Sequence, residues 1–270
     1  MAEALLSRPE LAITVAAVAL AAAGAVVAVT LATRDHPASL HPQAGKPPVP
    51  ATVPGPGGAA IRQAFAQWPK GSLDTLQRLG QDYPKSPVVQ LYLGIGLFWD
   101  GYDREAETAL RAAKKYGRDT PWEIAADNVL HPQFFTGYPV FAPVRPNALL
   151  SQGASLQAQG HQHSAERIYQ RAARLAPGDD QAQVAAAVGR FDKDKLAASF
   201  SQLGPLTRRF PHSQVVRFYL GLLLAWTGQA NGAVSQFQKT VSLGPKTSLG
   251  RSAQAFIDRV RTGGTGSAKK

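Results

Sequence analysis

The amino-acid sequence predicts an all-α fold: an α-solenoid of helix–turn–helix repeats, preceded by one N-terminal transmembrane helix and a disordered Pro/Gly-rich linker. Three observations predict it. Residues 11–33 are 23 consecutive positions without a charge. Residues 34–58 hold seven prolines and four glycines. Beyond them, one stretch of helical pattern occurs twice at a fixed offset. With 270 residues and 44% hydrophobic side chains, the chain has enough material for one or two domains with a sizeable core.

The transmembrane reading rests on length. Leu11 to Thr33, mostly Ala, Val and Leu, reaches roughly 35 Å as a helix, against a hydrocarbon core of about 30 Å. Arg8-Pro9-Glu10 and Arg34-Asp35 mark its ends. A cleaved signal peptide would show an apolar run of only ~7–15 residues, a clearly basic lead and an A-x-A-like site. Here one arginine stands against two glutamates, and Thr30-Leu31-Ala32 is a poor site. The sequence therefore predicts a retained single-pass membrane anchor with a short N-terminal tail, residues 1–10. Lys and Arg are nearly balanced across the anchor; a tail this short tends to stay cytoplasmic, which places the repeats on the extracytoplasmic side. Residues 34–58 cannot form a core and read as a polyproline-like spacer of at most ~75 Å, at ~3.1 Å per residue.

The repeats follow from an internal match. Tyr83-Pro84-Lys85-Ser86-Pro87-Val88-Val89-Gln90-Leu91-Tyr92-Leu93-Gly94 recurs as Phe210-Pro211-His212-Ser213-Gln214-Val215-Val216-Arg217-Phe218-Tyr219-Leu220-Gly221, an offset of 127 residues. The match continues through Leu97/Leu224, Trp99/Trp226, Gly101/Gly228, Ala106/Ala233 and Gly117/Gly244. Matching of this extent signals a duplicated unit.

Within the duplication a finer pattern recurs. Residues 146–179 carry Gly153, Leu156, Gly160, Ala165, Tyr169, Ala172 and Pro177. Residues 214–247 carry Gly221, Leu224, Gly228, Ala233, Phe237, Thr240 and Pro245 at the same places. Residues 87–120 carry Gly94, Leu97, Gly101, Ala106, Leu110 and Ala113, with Arg118 where the proline would stand. Small residues let two helices approach closely, glycine supplies a left-handed turn, and proline ends the second helix. This pattern resembles the tetratricopeptide repeat, a helix–turn–helix of about 34 residues. In register, residues 180–213 are a decayed repeat with Ala187, Ser199, Leu203 and Pro211, although Asp194 sits at the turn. Residues 53–86 are a partial leading repeat. The predicted layout is a first group over 59–130, an aromatic- and Pro-rich interruption over 131–146, and a second group with a capping helix over 147–260. A flexible basic tail over 261–270 completes it.

The interruption carries four prolines with Phe134, Phe135, Tyr138 and Phe141. One reading is a connector whose aromatics pack against the first repeat group; the other is an aromatic-proline docking loop. The resemblance implies that the first helix of each repeat lines a concave face. The corresponding positions are Val88, Leu91, Ile95 and Phe98 in one repeat and Val215, Phe218, Leu222 and Ala225 in another, the candidate partner-binding groove. In the middle repeat they are Asn147, Leu150, Ala154 and Gln157. An apolar groove of this kind accepts a partner segment, or it is filled by a neighbouring repeat, by residues 131–146 or by a second copy.

Chemistry is sparsely signalled. There is no cysteine, P-loop, HExxH or GxSxG. Of six histidines, His161 and His163 fall between two helices with no further ligand to complete a site. The sequence therefore predicts no enzyme, no cofactor and no metal. The net charge of +11 is concentrated in residues 147–270, which hold sixteen basic and six acidic groups. Two functions fit: a membrane-tethered adaptor or scaffold that binds a protein partner through its repeats, and a polyanion-binding module for anionic lipid, cell-wall polymer or nucleic acid. The stacking aromatics of nucleic-acid binders are not evident, which disfavours nucleic acid. A homo-oligomer is compatible with either.

Overall fold

The computed structural model describes residues 47–265. The predicted transmembrane helix at 11–33 and the N-terminal tail lie outside the described residues. Among those described, no helix is long and apolar enough to cross a membrane. They form twelve helices and no strand, and within each of two units the helices pack consecutively on their sequence neighbours in the manner of a helical-repeat solenoid. The chain divides into two compact units, the first ending at Pro132 and the second beginning at Gln133.

The first unit contains α1 (Gly58–Ala66), α2 (Ser72–Asp82), α3 (Pro87–Trp99), α4 (Asp103–Tyr116) and α5 (Pro121–Leu130). Residues 47–57, the described end of the linker, precede α1 without helix. Local chemistry sets the boundaries. Ser86 caps α3 by accepting the Val89 N–H, and Thr120 caps α5 by accepting that of Trp122; a proline follows each cap at the first helical position. Helix α4 has Asp103 and Glu105 in its first turn and Lys114 and Lys115 in its last, which matches the helix dipole at both ends. The core joins Ile61, Phe65, Trp68, Leu76 and Val89 in one cluster and Leu91, Leu97, Phe98, Ala106, Leu110 and Ala126 in another. Asp127 is fully buried on α5, and Lys114 lies 2.5 Å away to neutralise it.

The second unit opens with an irregular segment, residues 133–147, followed by seven helices. These are α6 (Ala148–Ala158), α7 (Gln162–Leu175), α8 (Asp180–Gly189), α9 (Ala197–Arg209), α10 (Gln214–Trp226), α11 (Ala230–Leu243) and α12 (Ser248–Thr265). The helix pairs α3/α4, α6/α7 and α10/α11 are each joined through a glycine in the left-handed region, Gly101, Gly160 and Gly228. Each pair also closes on a small residue. A methyl at Gly94 would lie 2.6 Å from Leu110 Cγ, one at Gly153 would overlap the Tyr169 ring, and one at Gly221 would stand 3.1 Å from Phe237. The connection between α8 and α9, where the turn glycine is missing, is a longer loop in which Asp192 accepts the Asp194 N–H.

Helix α12 closes the second unit, with Leu249, Ala253, Phe256 and Ile257 buried and the Phe256 ring tilted against that of Phe237 at 4.4 Å. It continues past Val260, where the sequence predicts its end, so the first half of the predicted flexible tail is helical. Two glycines weaken a helix without forbidding it.

Candidate functional site

The candidate groove residues lie mostly inside the two cores. Val88, Leu91, Phe98, Val215, Leu222 and Ala225 are buried, and Ile95 and Phe218 are half-buried. Leu91 and Phe98 pack in the cluster that includes Ala126 of α5, with Ile95, Trp122 and Leu130 against it. Phe218 lies edge-on to Phe237 of α11 at 5.5 Å. These positions are therefore core rather than an open apolar groove: apolar side chains this large bury themselves against the chain's own helices when they can reach them.

A different set of residues makes the site. In the second unit the segment around residues 135–145 runs across the face formed by α6, α8 and α10, the first helix of each successive pair. Phe141 is its anchor and is fully buried. Its ring stands 4.9 Å from that of Tyr219 and 5.8 Å from that of Tyr169, tilted to one and edge-on to the other. Tyr138 lies edge-on to Phe191 at 5.9 Å, with the Lys193 ammonium 5.8 Å from its ring centre. Phe135 meets Trp226 edge-on at 5.7 Å. This overturns the connector expectation, because these aromatics pack on the second repeat group. Burial decides it: the rings find a pocket lined by Tyr169, Phe191, Tyr219 and Trp226 that no short-range pattern announces.

The polar contacts are more informative than the rings. Gln157 of α6 accepts the Phe141 N–H at 3.0 Å and donates to the Pro139 carbonyl at 3.4 Å. Its remaining valences are filled by the Tyr169 hydroxyl at 2.9 Å and by Gln162 at 3.0 Å. Gln162 in turn donates to the Gly189 carbonyl, tying α7 to the end of α8. The Tyr219 hydroxyl of α10 accepts the Ala142 N–H at 2.7 Å. Gln181 of α8 accepts both the Val144 and Arg145 N–H groups, at 2.6 and 3.0 Å. Across residues 139–146 the hydrogen bonds to main chain thus come from side chains of other elements rather than from other main chain. Gln157 and Gln181 are both buried, so their amides require these partners.

Charge fixes the far end. Arg145 pairs with Asp179 at 2.8 Å and with Asp180 more closely still. Asp179 caps α8 by accepting the Gln181 N–H, and Ser213, the cap of α10, donates its hydroxyl to Asp180. Burial works against the Asp180 charge, but the Ser213 hydroxyl and Arg145 together hold its carboxyl below the ordinary range. The hydrogen bond to Asp180 raises the Arg145 guanidinium, outweighing its partial burial. Burial pushes both phenols up, Tyr169 with a further push from Tyr219, so both hydroxyls stay neutral hydrogen-bonding groups.

Of this site the sequence singled out Phe141, Tyr138 and Phe135 as aromatics, Tyr219 as half of the duplication, and Gln157 as a position on the first-helix face. It missed Gln181, Asp179 and Asp180. The available signal was their place at the start of a repeat in register, where side chains turn to the same face as Gln157. His163 lies 3.9 Å from Glu166 on the surface of α7, apart from this site. The arrangement holds a stretch of the same chain with a pocket for one ring, three side chains on the main chain, and two carboxylates on a cation. No family model, curated protein or solved structure matches the chain.

Proposed function

We propose that the chain is a tetratricopeptide-type adaptor, tethered to a membrane through residues 11–33, that binds an extended segment of a protein partner on the first-helix face of its second unit. One observation carries the reading: that face already holds an irregular segment through Gln157, Gln181 and Tyr219, by its main chain, as peptide-recognition modules do. Consecutive helical packing supports a scaffold. The Pro-rich stretch after residue 33 supports a tether long enough to bring the repeats to a partner, with the repeats on the extracytoplasmic side and no chemistry of their own.

The test is crosslinking on intact membranes from a photoreactive residue in place of Val144, which is 40% exposed beside the face. Capture of a protein, lost when Gln157 and Gln181 are both replaced by Leu, is the expected result. Recovery of lipid or glycan alone would overturn it. Protease accessibility of the repeats on intact cells reads the orientation.

The polyanion reading has its own support in the exposed Arg167, Arg171, Arg174, Arg208 and Arg209 on the second helices α7 and α9. It requires binding that falls steeply with salt.

A further inference from the structure

We infer that residues 138–145 are a resident competitor for the first-helix face of the second unit. The partner that displaces them is an extended protein segment bearing an aromatic residue followed, four positions later, by an arginine or lysine. This rests on the peptide-binding reading above and specifies its ligand.

Three features carry the inference. First, the resident is recognised mainly through its main chain. Gln157, Tyr219 and Gln181 contact N–H groups at Phe141, Ala142, Val144 and Arg145, which any segment without proline at those places presents equally if it bends, as this one does at Val144 and Arg145, to set two successive N–H groups on the Gln181 oxygen. Second, three side chains of residues 138–145 meet specific chemistry: Tyr138 lies edge-on to Phe191 with the Lys193 ammonium over its ring, and the other two are Phe141 and Arg145. The Phe141 ring fills the pocket between Tyr169 and Tyr219, where Gly153 leaves no room for Tyr169 to withdraw. The Arg145 guanidinium meets Asp179 and Asp180. Ala142, Val144 and Arg145 are otherwise exposed. The ring and the cation, four residues apart on a backbone that bends at Val144 and Arg145, define the part of a competing segment that meets the Tyr169–Tyr219 pocket and the two carboxylates. Third, the resident is an incomplete ligand. Phe135 covers Trp226 edge-on, yet the indole N–H of Trp226, itself 8% exposed, has no acceptor among the described residues. A segment that offers a carbonyl or carboxylate there satisfies a buried donor that the resident leaves unmet.

Cis occupancy has a direct consequence. A partner sees only the fraction of molecules whose face is open, so its apparent affinity is reduced by that fraction, and loosening the resident raises it. Prolines at 139, 143 and 146 hold the resident near its bound conformation, which keeps that fraction small.

The experiment titrates a fluorescein-labelled synthetic peptide of residues 136–147 against the full chain, read by anisotropy. Wild type is compared with Phe141→Ala and Arg145→Glu. The second variant alters only a half-exposed side chain and so retains the fold if the first does not; circular dichroism checks both. The expected result is binding to the loosened variants at least about tenfold tighter than to wild type. Replacing the ring or the arginine within the peptide should weaken that binding by about tenfold each. Equal binding to wild type and variants overturns the competitor. Equal binding of a scrambled peptide overturns the aromatic-and-cation specification and leaves peptide binding standing. No binding of any peptide to a folded Arg145→Glu chain overturns both. Self-association of the loosened variants in sedimentation, abolished by excess peptide, overturns the external partner in favour of a second copy.

Discussion

Helices α3 and α10 carry the two copies of one duplicated sequence, and the chain covers them differently. On α3, Tyr92 is half-buried and meets Phe65 of α1 edge-on at 5.7 Å; Trp99 packs on the same cluster. On α10, the equivalent Tyr219 is 2% exposed and meets Phe141, and the equivalent Trp226 meets Phe135. One copy is covered by a helix, the other by an irregular segment. A helix brings its own hydrogen bonds already closed, so it asks of its neighbour only apolar surface. Extended chain brings open N–H and C=O groups, and a face that buries it must supply partners. That is why the second unit carries Gln157, Gln181 and a committed tyrosine hydroxyl. The difference between two helices that share seven of thirteen residues is thus written largely in the residues around them.

The largest effect should come from removing the ring that distinguishes the two. Phe141→Ala deletes a fully buried side chain and should lower stability by about 3 kcal/mol in chemical denaturation, the low end for such truncations because the segment can detach. A result under 1 kcal/mol would mean that the segment contributes little to the second unit.

Gly153→Ala tests the same pocket from below. Its methyl overlaps Tyr169, whose hydroxyl is held by Gln157, so neither can give way; a loss of about 2–3 kcal/mol is expected. The duplicated counterpart Gly221→Ala meets Phe237 at 3.1 Å with no such tether, and about 1 kcal/mol should suffice. Equal losses would remove the distinction.

Tyr219→Phe and Tyr92→Phe compare the duplicated tyrosines directly. The first leaves the Ala142 N–H without its acceptor and should cost about 1 kcal/mol, since Ala142 is exposed enough for water to replace it. The second should fall within about 0.5 kcal/mol of wild type.

The smallest effect is electrostatic. Asp180 has its folded pKa held below 3.8, so its contribution is complete above that value and is lost as pH falls through the lower, folded one. Between pH 5 and 8 the Arg145 anchor should be constant, and below about pH 4 it should weaken by roughly half a kcal/mol or less, because Arg145 is more than half exposed. Asp180→Asn should flatten that acid limb in a stability-against-pH series.

The helical architecture was legible from local signals. Glycines at 101, 160 and 228 mark the turns, and small residues at 94, 153 and 221 mark the close approaches, because both are requirements of a single helix pair. The site was not legible in the same way. Phe141 and Tyr219 are 78 positions apart, and the segment between Pro132 and Pro146 has neither period that reports a buried face. Gln157 and Gln181 read in sequence as ordinary polar positions of a repeat; only the chain laid across them gives their amides a purpose. The apolar runs of α3 and α10 left two readings, a groove for a partner or one filled by a neighbouring repeat, by residues 131–146 or by a second copy; on α10 it is Phe135 and Phe141 of that segment that do the covering. What covers α10 could not be deduced from α10.

The use of side-chain amides on a passing backbone has a consequence for change over time. Contacts to N–H and C=O groups are blind to the residue that carries them, so Val140, Ala142 and Val144 can drift without moving the register set by Gln157 and Gln181. Substitution at these three places would grade how firmly the segment is held while the receiving helices stay untouched. The chain therefore contains a dial separate from its lock, by which sensitivity to a partner can be reset one residue at a time.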